Sequence, residues 1–284
     1  MRLFLLTTLT MVAFAANSIF NRVAVDTGTI DAGPFAVIRV LSGAVALLVL
    51  VQIRRKPLNF LTIRRAIGAG SLTLYMIGFS LAYRTLDAGL GALLAFGAVQ
   101  IAIFGLSALR GEPPTSRQMT GSAVAFAGLV WVLWPGNGPA ADPVGAIAMV
   151  MAGLGWAIYT LAGRGEPDPL AATAANFCVA LPLTALAVWA LGQGGNVTPS
   201  GIGWAVLSGA GTSGLGYALW YSVVPRMAAS TAAVAMLSVP LIALVVGVVL
   251  LNEPISVRLI GGAMLVIGGI AFAVRAPAKP KLQV

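Results

Sequence analysis

The hydrophobic positions of this chain fall into long runs that are separated by short polar breaks. A helix needs about 20 apolar residues to cross the roughly 30 Å hydrocarbon core of a bilayer, with a range of about 17 to 25. Breaks such as Lys56-Pro57 and Asn252-Glu253-Pro254 end the runs. The pattern predicts ten membrane-spanning helices, at residues 3–20, 33–53, 66–83, 88–109, 118–134, 143–162, 170–191, 201–223, 227–251 and 257–274.

The composition supports a membrane protein and excludes most catalytic chemistry. Of the 284 residues, 59% are hydrophobic and 9% are charged, whereas a soluble domain carries about 25% charged residues. The chain has no His and a single Cys, Cys178, which excludes disulfides, His-based metal sites and Ser-His or Cys-His catalytic pairs. We therefore expect an all-α membrane protein that is not an enzyme and that uses no cofactor or metal.

The net charge of +9 is best explained by orientation in the membrane. Lys and Arg occupy short loops between apolar runs rather than one basic face, so nucleic acid is not an expected partner. Positive residues are retained on the cytoplasmic side of a membrane. One set of alternate loops and ends holds 13 Lys and Arg, and the other holds Arg22, Arg84 and Arg258. Both termini, including the tail 275–284, are therefore predicted to be cytoplasmic.

The N-terminus permits a second interpretation. Arg2, the apolar run that follows and Ala13-Phe14-Ala15 look like a secretory signal peptide with its small-residue cleavage site. Cleavage would leave nine helices and disturb the charge alternation, so we favour a first membrane helix.

The chain also repeats itself at an offset of 141 residues. This offset aligns Glu112-Pro113 with Glu253-Pro254, and Arg117, Gly121 and Gly128 with Arg258, Gly262 and Gly269. Glycines that recur every seven residues in helices 5 and 10 predict close helix packing, as a scaffold or a dimer contact. The two halves, 1–137 and 138–284, would each hold five helices and therefore cross the membrane in opposite directions. Such inverted repeats are typical of secondary transporters, in which the substrate site lies near the midplane.

These features resemble the EamA family of the drug/metabolite transporter superfamily. The similarity rests on the ten-helix plan, the segment GEPPTSRQMTG (111–121), its counterpart NEPISVRLIGG (252–262), and Asn17, Pro34 and Arg39. Within the family, the chain looks most like the bacterial aromatic amino acid exporters. The resemblance implies two inverted EamA-like halves around a central cavity in the bacterial inner membrane, and no ATPase domain. Expected partners are the lipid bilayer and amino acid substrates, with a monomer or weak homo-oligomer as the assembly.

Polar and aromatic residues at membrane depth are the candidate substrate ligands. No Asp or Glu is predicted well inside a helix, which favours facilitated transport or exchange over a carboxylate-based proton antiport. Amide side chains, aromatic faces and a carbonyl freed by a mid-helix proline remain to bind a substrate. The candidates are Asn17, Tyr75, Phe79, Phe96, Gln100, Trp156, Tyr159, Tyr217, Trp220 and Pro240.

Each candidate also has a structural explanation. Amides can hold helices together, rings can pack in the core, and Pro240 can simply bend a helix. For Asn176 we expect such a structural hydrogen bond. Arg39 either snorkels to the interface or binds a substrate carboxylate, and the sequence favours neither.

Three other functions compete with amino acid export. An intramembrane protease is disfavoured because the Gly211-Thr212-Ser213-Gly214 motif has no His partner. A channel is disfavoured because the sequence shows no loop that resembles a selectivity filter. The remaining alternative is a carrier of the same family with another cargo, such as a nucleoside, a polyamine or a cationic drug. We predict a secondary transporter that exports amino acids, preferentially aromatic or large apolar ones, by alternating access.

Overall fold

The apolar runs fold as helices because a segment surrounded by lipid must satisfy its backbone hydrogen bonds internally. The computed structural model describes residues 1–109, 111–112, 114–134, 142–163, 166–227, 232 and 235–274. The predicted break at 135–139, the tail 275–284 and part of the predicted ninth helix lie outside these ranges. The helices are α1 (Arg2–Asp26), α2 (Ala32–Ile53), α3 (Ile63–Ala82), α4 (Ala88–Leu109), α5 (Ser116–Leu133), α6 (Pro143–Ala162), α7 (Pro169–Ala190), α8 (Pro199–Val206), α9 (Gly216–Val223), α10 (Ser238–Leu251) and α11 (Val257–Val274).

Six of the described helices, α1, α2, α4, α6, α7 and α11, are long and apolar enough to cross a membrane, and α10 is a shorter apolar helix. A π-helix, Leu207–Leu215, joins α8 to α9, and a 3₁₀ turn, Val224–Arg226, follows. The described residues are thus all-helical apart from loops and one isolated bridge between Ile30 and Val197. The count of ten membrane crossings stays a prediction.

Capping residues set most helix starts where the sequence pattern placed them. Asp142, Asp168 and Thr198 each accept a backbone N–H of the helix that follows, and each precedes a proline at the first helical position. The Gly145 N–H and the Thr85 hydroxyl lower the pKa of Asp142.

Two predicted helix boundaries need correction. Helix α1 continues to Asp26, beyond the predicted end at residue 20, because Arg22 and Asp26 pair one turn apart and extend the helix past its apolar run. The predicted ninth helix is interrupted at Leu237: Ala235 and Met236 are helical, and α10 begins at Ser238, two residues before Pro240. A proline inside a helix disrupts the preceding turn, because it has no N–H and crowds the carbonyl four residues earlier.

The loops gather on two opposite faces. On one face, the α2–α3 loop pairs with the α6–α7 loop through Lys56 and Asp168. On the other, the α7–α8 loop bonds to the α1–α2 loop, and the α10–α11 loop bonds to the start of α4. The first, which we call the basic face, carries Arg54, Arg55, Lys56, Arg64 and Arg65; the second, the acidic face, carries Asp26, Asp31, Asp87, Asp142 and Glu253. The sequence predicts that the basic face is cytoplasmic.

Close contacts between glycines hold α5 against α11. Gly121 lies against the Gly269 backbone, and Gly128 lies against Leu265 and Val266. The sequence predicted that these glycines form a scaffold or a dimer contact, and here they pack α5 on α11 within the chain. Elsewhere α3 packs on α6, and α2 packs on both α7 and the π-helix, while residues such as Phe126, Trp131, Leu186 and Val249 keep large apolar side chains exposed on the outer surface.

We expect Gly121→Ala to destabilise the fold by about 1 to 3 kcal/mol, because the new Cβ would overlap the Gly269 carbonyl oxygen. Gly268→Ala is the matched control: it lies on α11 with no atom within 4 Å of its Cβ position, so the change should be neutral or slightly stabilising. Thermal unfolding of the purified protein in detergent measures both. Equal unfolding temperatures would contradict the close packing.

Candidate functional site

A cavity of about 450 Å³ extends into the bundle from the basic face. Its outer wall includes Arg64, Gly163 and Glu166, at the α2–α3 and α6–α7 loops, and its inner wall includes Gln100 and Trp156. This volume lies in the range of small-molecule sites, about 300 to 1,000 Å³. We call this space the entrance cavity. Its aromatic lining consists of Phe14, Phe96, Trp156, Tyr159, Tyr217, Trp220 and Tyr221.

A smaller space of about 50 Å³, the deep chamber, lies beyond the entrance cavity toward the acidic face. Asn17, Ser18, Tyr75, Phe79 and Thr212 contribute to its wall. The two spaces share a collar of six residues, namely Phe14, Phe96, Val99, Trp156, Tyr217 and Met236.

The structure brings all but one of the sequence-predicted binding residues to these two spaces. Asn17, Tyr75 and Phe79 line the deep chamber, Gln100, Tyr159 and Trp220 line the entrance cavity, and Phe96, Trp156 and Tyr217 line both. Pro240 is the exception, since the wall at that level is formed by Met236 and Leu237. A role in binding stays a prediction for the whole set.

Trp156 is the centre of the aromatic lining. Its ring lies 4.9 Å from Tyr75, 5.2 Å from Tyr217 and 5.4 Å from Tyr159, measured between ring centroids. Phe14 makes edge contacts with Tyr217 and Trp220. Such contacts fix the rings, and their exposed faces can stack on an aromatic or large apolar group.

A polar network surrounds the deep chamber. Arg39, two turns into α2, is fully buried and does not snorkel. Its Nε donates to Ser213 Oγ at 3.2 Å, and its Nη2 donates to the Tyr75 hydroxyl at 3.1 Å. The Asn17 amide donates to the same hydroxyl at 3.4 Å.

The π-helix supplies the other side of this network. Ser208 donates to Asn17 Oδ1 at 2.6 Å, and Ser213 accepts from Arg39. The Thr212 hydroxyl donates to the Ser208 carbonyl at 2.7 Å and lies 3.1 Å from Asn17 Oδ1. Gly209 lies directly against the Arg39 backbone, where no side chain would fit. The wide π turn, a rare geometry that is frequent at functional sites, was not predicted; the run of Gly, Ser and Thr at 208–214 is the signal that could have indicated it.

Hydrogen bonds also order the wall of the entrance cavity. Arg65 Nη2 bonds to Glu166 at 2.6 Å, and its Nη1 donates to Asn176 at 3.3 Å, which confirms a hydrogen-bonding role for Asn176. Further in, Tyr159 donates to Thr173 at 3.1 Å, and Thr173 donates to Tyr221 at 3.2 Å.

The acidic face is closed by a cluster centred on Glu253. Its carboxylate accepts the Ala88 N–H at 2.6 Å and the Gly89 N–H at 3.3 Å, at the positive N-terminus of α4. Arg22 lies 3.8 Å from Glu253 and 3.2 Å from Asp87. The cluster ties α1 and α4 to the α10–α11 loop on the acidic face of the bundle.

Burial raises the pKa of the Glu253 carboxyl, and the Ala88 and Gly89 N–H groups and Arg22 oppose that rise. A second seal lies at the α1–α2 loop, where Thr198 donates to the Thr29 carbonyl at 2.7 Å and the Asn196 N–H donates to Asp31 at 2.8 Å.

Comparison with known proteins identifies the family. Residues 143–275 match the EamA-like transporter family. The chain is 45% identical over 274 residues to PA1977, an uncharacterised protein of Pseudomonas aeruginosa, and the match covers 95% of this chain and 94% of the relative. The chain belongs to the EamA-like transporter family. It is also 28% identical over 219 residues to an uncharacterised transporter of Archaeoglobus fulgidus, with 74% of this chain and 76% of the relative covered.

Two further matches cover most of the chain. The uncharacterised transporter YwfM of Bacillus subtilis is 26% identical over 260 residues, which cover 87% of this chain and 86% of the relative. A solved crystal structure, 20% identical, covers 94% of this chain and 98% of its own with a TM-score of 0.65, which shows a shared fold. The family and the apolar helices indicate a multi-pass membrane transporter rather than an enzyme. The relatives' names specify no cargo.

We expect Glu253→Ala to open the acidic face, because it removes the acceptor for two N–H groups of α4 and one of the three carboxylates near Arg22, which keeps Asp26 and Asp87. A cysteine at Ser18, in a Cys178→Ala background, reports access to the deep chamber in intact cells treated with a membrane-impermeant thiol reagent. Labelling should be slow in the parent and about tenfold faster with Glu253→Ala, since backbone N–H groups left without an acceptor are costly.

Asp26→Asn is the control for this experiment, since the Asp26 side chain is 49% exposed and such surface ion pairs contribute little. It should label like the parent. Fast labelling of the parent itself would contradict the closed acidic face or its predicted outward orientation.

Proposed function

We propose that this chain is a secondary transporter that exports amino acids, preferentially those with aromatic or large apolar side chains, by alternating access. The observation that carries the proposal is an aromatic-lined cavity that extends from the basic face and is sealed at the acidic face. A pore would need a continuous path, whereas a carrier exposes its site to one side at a time.

The dimensions and lining of the cavity suit such a substrate. The entrance cavity and deep chamber together present rings from α1, α3, α4, α6 and α9. Stacking and edge contacts between rings contribute about 0.5 to 1.5 kcal/mol per pair beyond area burial. Polar side chains line the space at its deep end, with Asn17 and Tyr75, and at the basic face, with Arg65 and Glu166; Gln100 lies between them. This arrangement fits a substrate with an apolar body and a polar end.

The helix packing supports the proposed inverted halves, 1–137 and 138–284. In the proposed repeat, helices α1 to α5 correspond in order to α6, α7, the α8–α9 segment, α10 and α11. The α3–α6 contact then corresponds to the contact between the α8–α9 segment and α1, and the α4–α6 contact corresponds to the α10–α1 contact. The contacts α2–α7, α4–α10 and α5–α11 map onto themselves. A two-fold relation of this kind would let the acidic face open in the same way that the basic face is open here.

Uptake of labelled phenylalanine into liposomes that contain the purified protein tests the proposal. We expect saturable uptake that is accelerated by unlabelled phenylalanine trapped inside, as exchange through a carrier requires. Protein-free liposomes give the background. If uptake stays at that background while the same preparation moves a nucleoside or a polyamine, the cargo assignment is wrong.

Two cavity variants are expected to lose this uptake. Trp156→Ala removes the ring that contacts three tyrosines, and Gln100→Ala removes an amide from the cavity wall; we expect the ratio kcat/KM to fall about tenfold or more, which corresponds to about 1.4 kcal/mol or more. Trp189→Ala is the matched control, because Trp189 is 78% exposed on the outer surface of α7. Equal losses in all three variants would contradict a site in the cavity.

A further inference from the structure

Arg39 carries a positive charge that the described residues leave without a negative partner. Its side chain is 0% exposed, and none of the ion pairs among the described residues includes it. Its two hydrogen bonds go to neutral hydroxyls, and its Nη1 has no hydrogen-bond partner. A guanidinium does not deprotonate in proteins. An uncompensated charge at membrane depth is costly and marks a functional site by default.

The charge lies directly behind the wall of the deep chamber. The Arg39 guanidinium carbon is 5.2 Å from the Tyr75 ring centroid and 5.0 Å from the Phe79 ring centroid. Both rings line the chamber. Their faces partly stabilise the cation, but they carry no formal charge, so the chamber stays electropositive.

The Tyr75 hydroxyl is a hydrogen-bond donor next to this charge. Its oxygen accepts from Arg39, which has no acceptor atoms, and from Asn17. The orientation of the Asn17 amide is fixed because its oxygen accepts from the Ser208 hydroxyl. With both hydrogen bonds received at the oxygen, the Tyr75 O–H proton remains to be donated, and no acceptor for it exists among the described residues.

We infer that the deep chamber binds the carboxylate of the substrate, with the Tyr75 O–H as its donor and Arg39 as a positioning residue that supplies the positive field. The deep chamber carries the polar groups of Asn17, Tyr75 and Thr212, which suit a charged and polar group better than an apolar ring. The apolar body of the substrate would then occupy the collar and the entrance cavity. The inference rests on the proposed function, which it deepens by naming the group that is recognised.

The charges of the entrance cavity agree with an anionic or zwitterionic substrate. Arg64 and Arg65 stand on its wall against one carboxylate among the described residues, Glu166, which is already paired with Arg65. Together with Arg39, this makes the path electropositive, which disfavours polyamines and cationic drugs.

A ligand series that varies only the polar end tests the inference. The probes are 3-phenylpropionate, which lacks the ammonium group, phenethylamine, which lacks the carboxylate, and phenylalanine, which has both. Binding to the purified protein is followed by the tryptophan fluorescence, since Trp156 and Trp220 line the entrance cavity. We expect 3-phenylpropionate and phenylalanine to bind at least about tenfold more tightly than phenethylamine, the difference that a hydrogen bond to a charged group provides.

Tyr75→Phe removes the donor and keeps the ring. We expect it to weaken 3-phenylpropionate about tenfold or more while phenethylamine changes less than about twofold, a split that a general loss of structure would not produce. Ser80→Ala is the control: Ser80 is a fully buried hydroxyl on the same helix, α3, but it bonds to Asn21 and lines neither space. It should bind all three probes like the parent.

The outcomes separate this inference from the proposed function. Tyr75-dependent binding of 3-phenylpropionate without phenylalanine transport would support the carboxylate site and overturn the amino acid assignment. Phenylalanine transport combined with equal binding of phenethylamine and 3-phenylpropionate would support the amino acid assignment and overturn the carboxylate site. If Tyr75→Phe does not fold, the relative affinities of the three probes for the parent protein test the inference. Binding of none of them at millimolar concentration to folded parent protein would overturn the inference.

Discussion

The arrangement of the core depends on one fully buried cation. Arg39 lies inside α2 with no solvent and no carboxylate partner among the described residues, and such a charge persists only where its surroundings are built to hold it. Two aromatic rings lie beside it, a π-helix brings Ser213 to its Nε, and Gly209 allows the close approach. The Tyr75 hydroxyl, which accepts from Arg39, lies at the wall of the deep chamber. The same contacts that keep the arginine in place therefore define the polar end of the proposed site.

A second constraint acts at the acidic face, where the carboxylate of Glu253 completes the N-terminus of α4. Backbone N–H groups at a helix start need an acceptor, and here the acceptor comes from the loop before α11. Closing this face therefore joins segments that are far apart in sequence. The opposite face has the entrance cavity between its loops. A carrier in one of its two states has a binding space that is open at one face and closed at the other. This structure fits that description.

The sequence predicted those features that depend on local pattern. Runs of apolar residues gave the helices. The deep amide residues were expected away from lipid because polar groups at membrane depth are costly, and the deep rings because they can stack on a substrate. The features that were missed depend on the chain's path. Pro240 is not on the cavity wall, which Met236 and Leu237 form at that level. The hydrogen bonds of Arg39 to Ser213 and of Glu253 to Ala88 join residues more than 160 positions apart, and no periodicity reports them.

Distances across the two faces, measured by electron spin resonance in lipid nanodiscs, test alternating access most directly. Spin labels replace Thr27 and Ile255 on the acidic face, or Asn59 and Arg226 on the basic face, in a Cys178→Ala background; all four positions are exposed. Adding phenylalanine should produce a second population of molecules in each sample. The acidic-face distance should be longer and the basic-face distance shorter in these populations, and the two should be equally large fractions of the molecules. A longer acidic-face distance with an unchanged basic face would indicate a continuous pore and contradict the account.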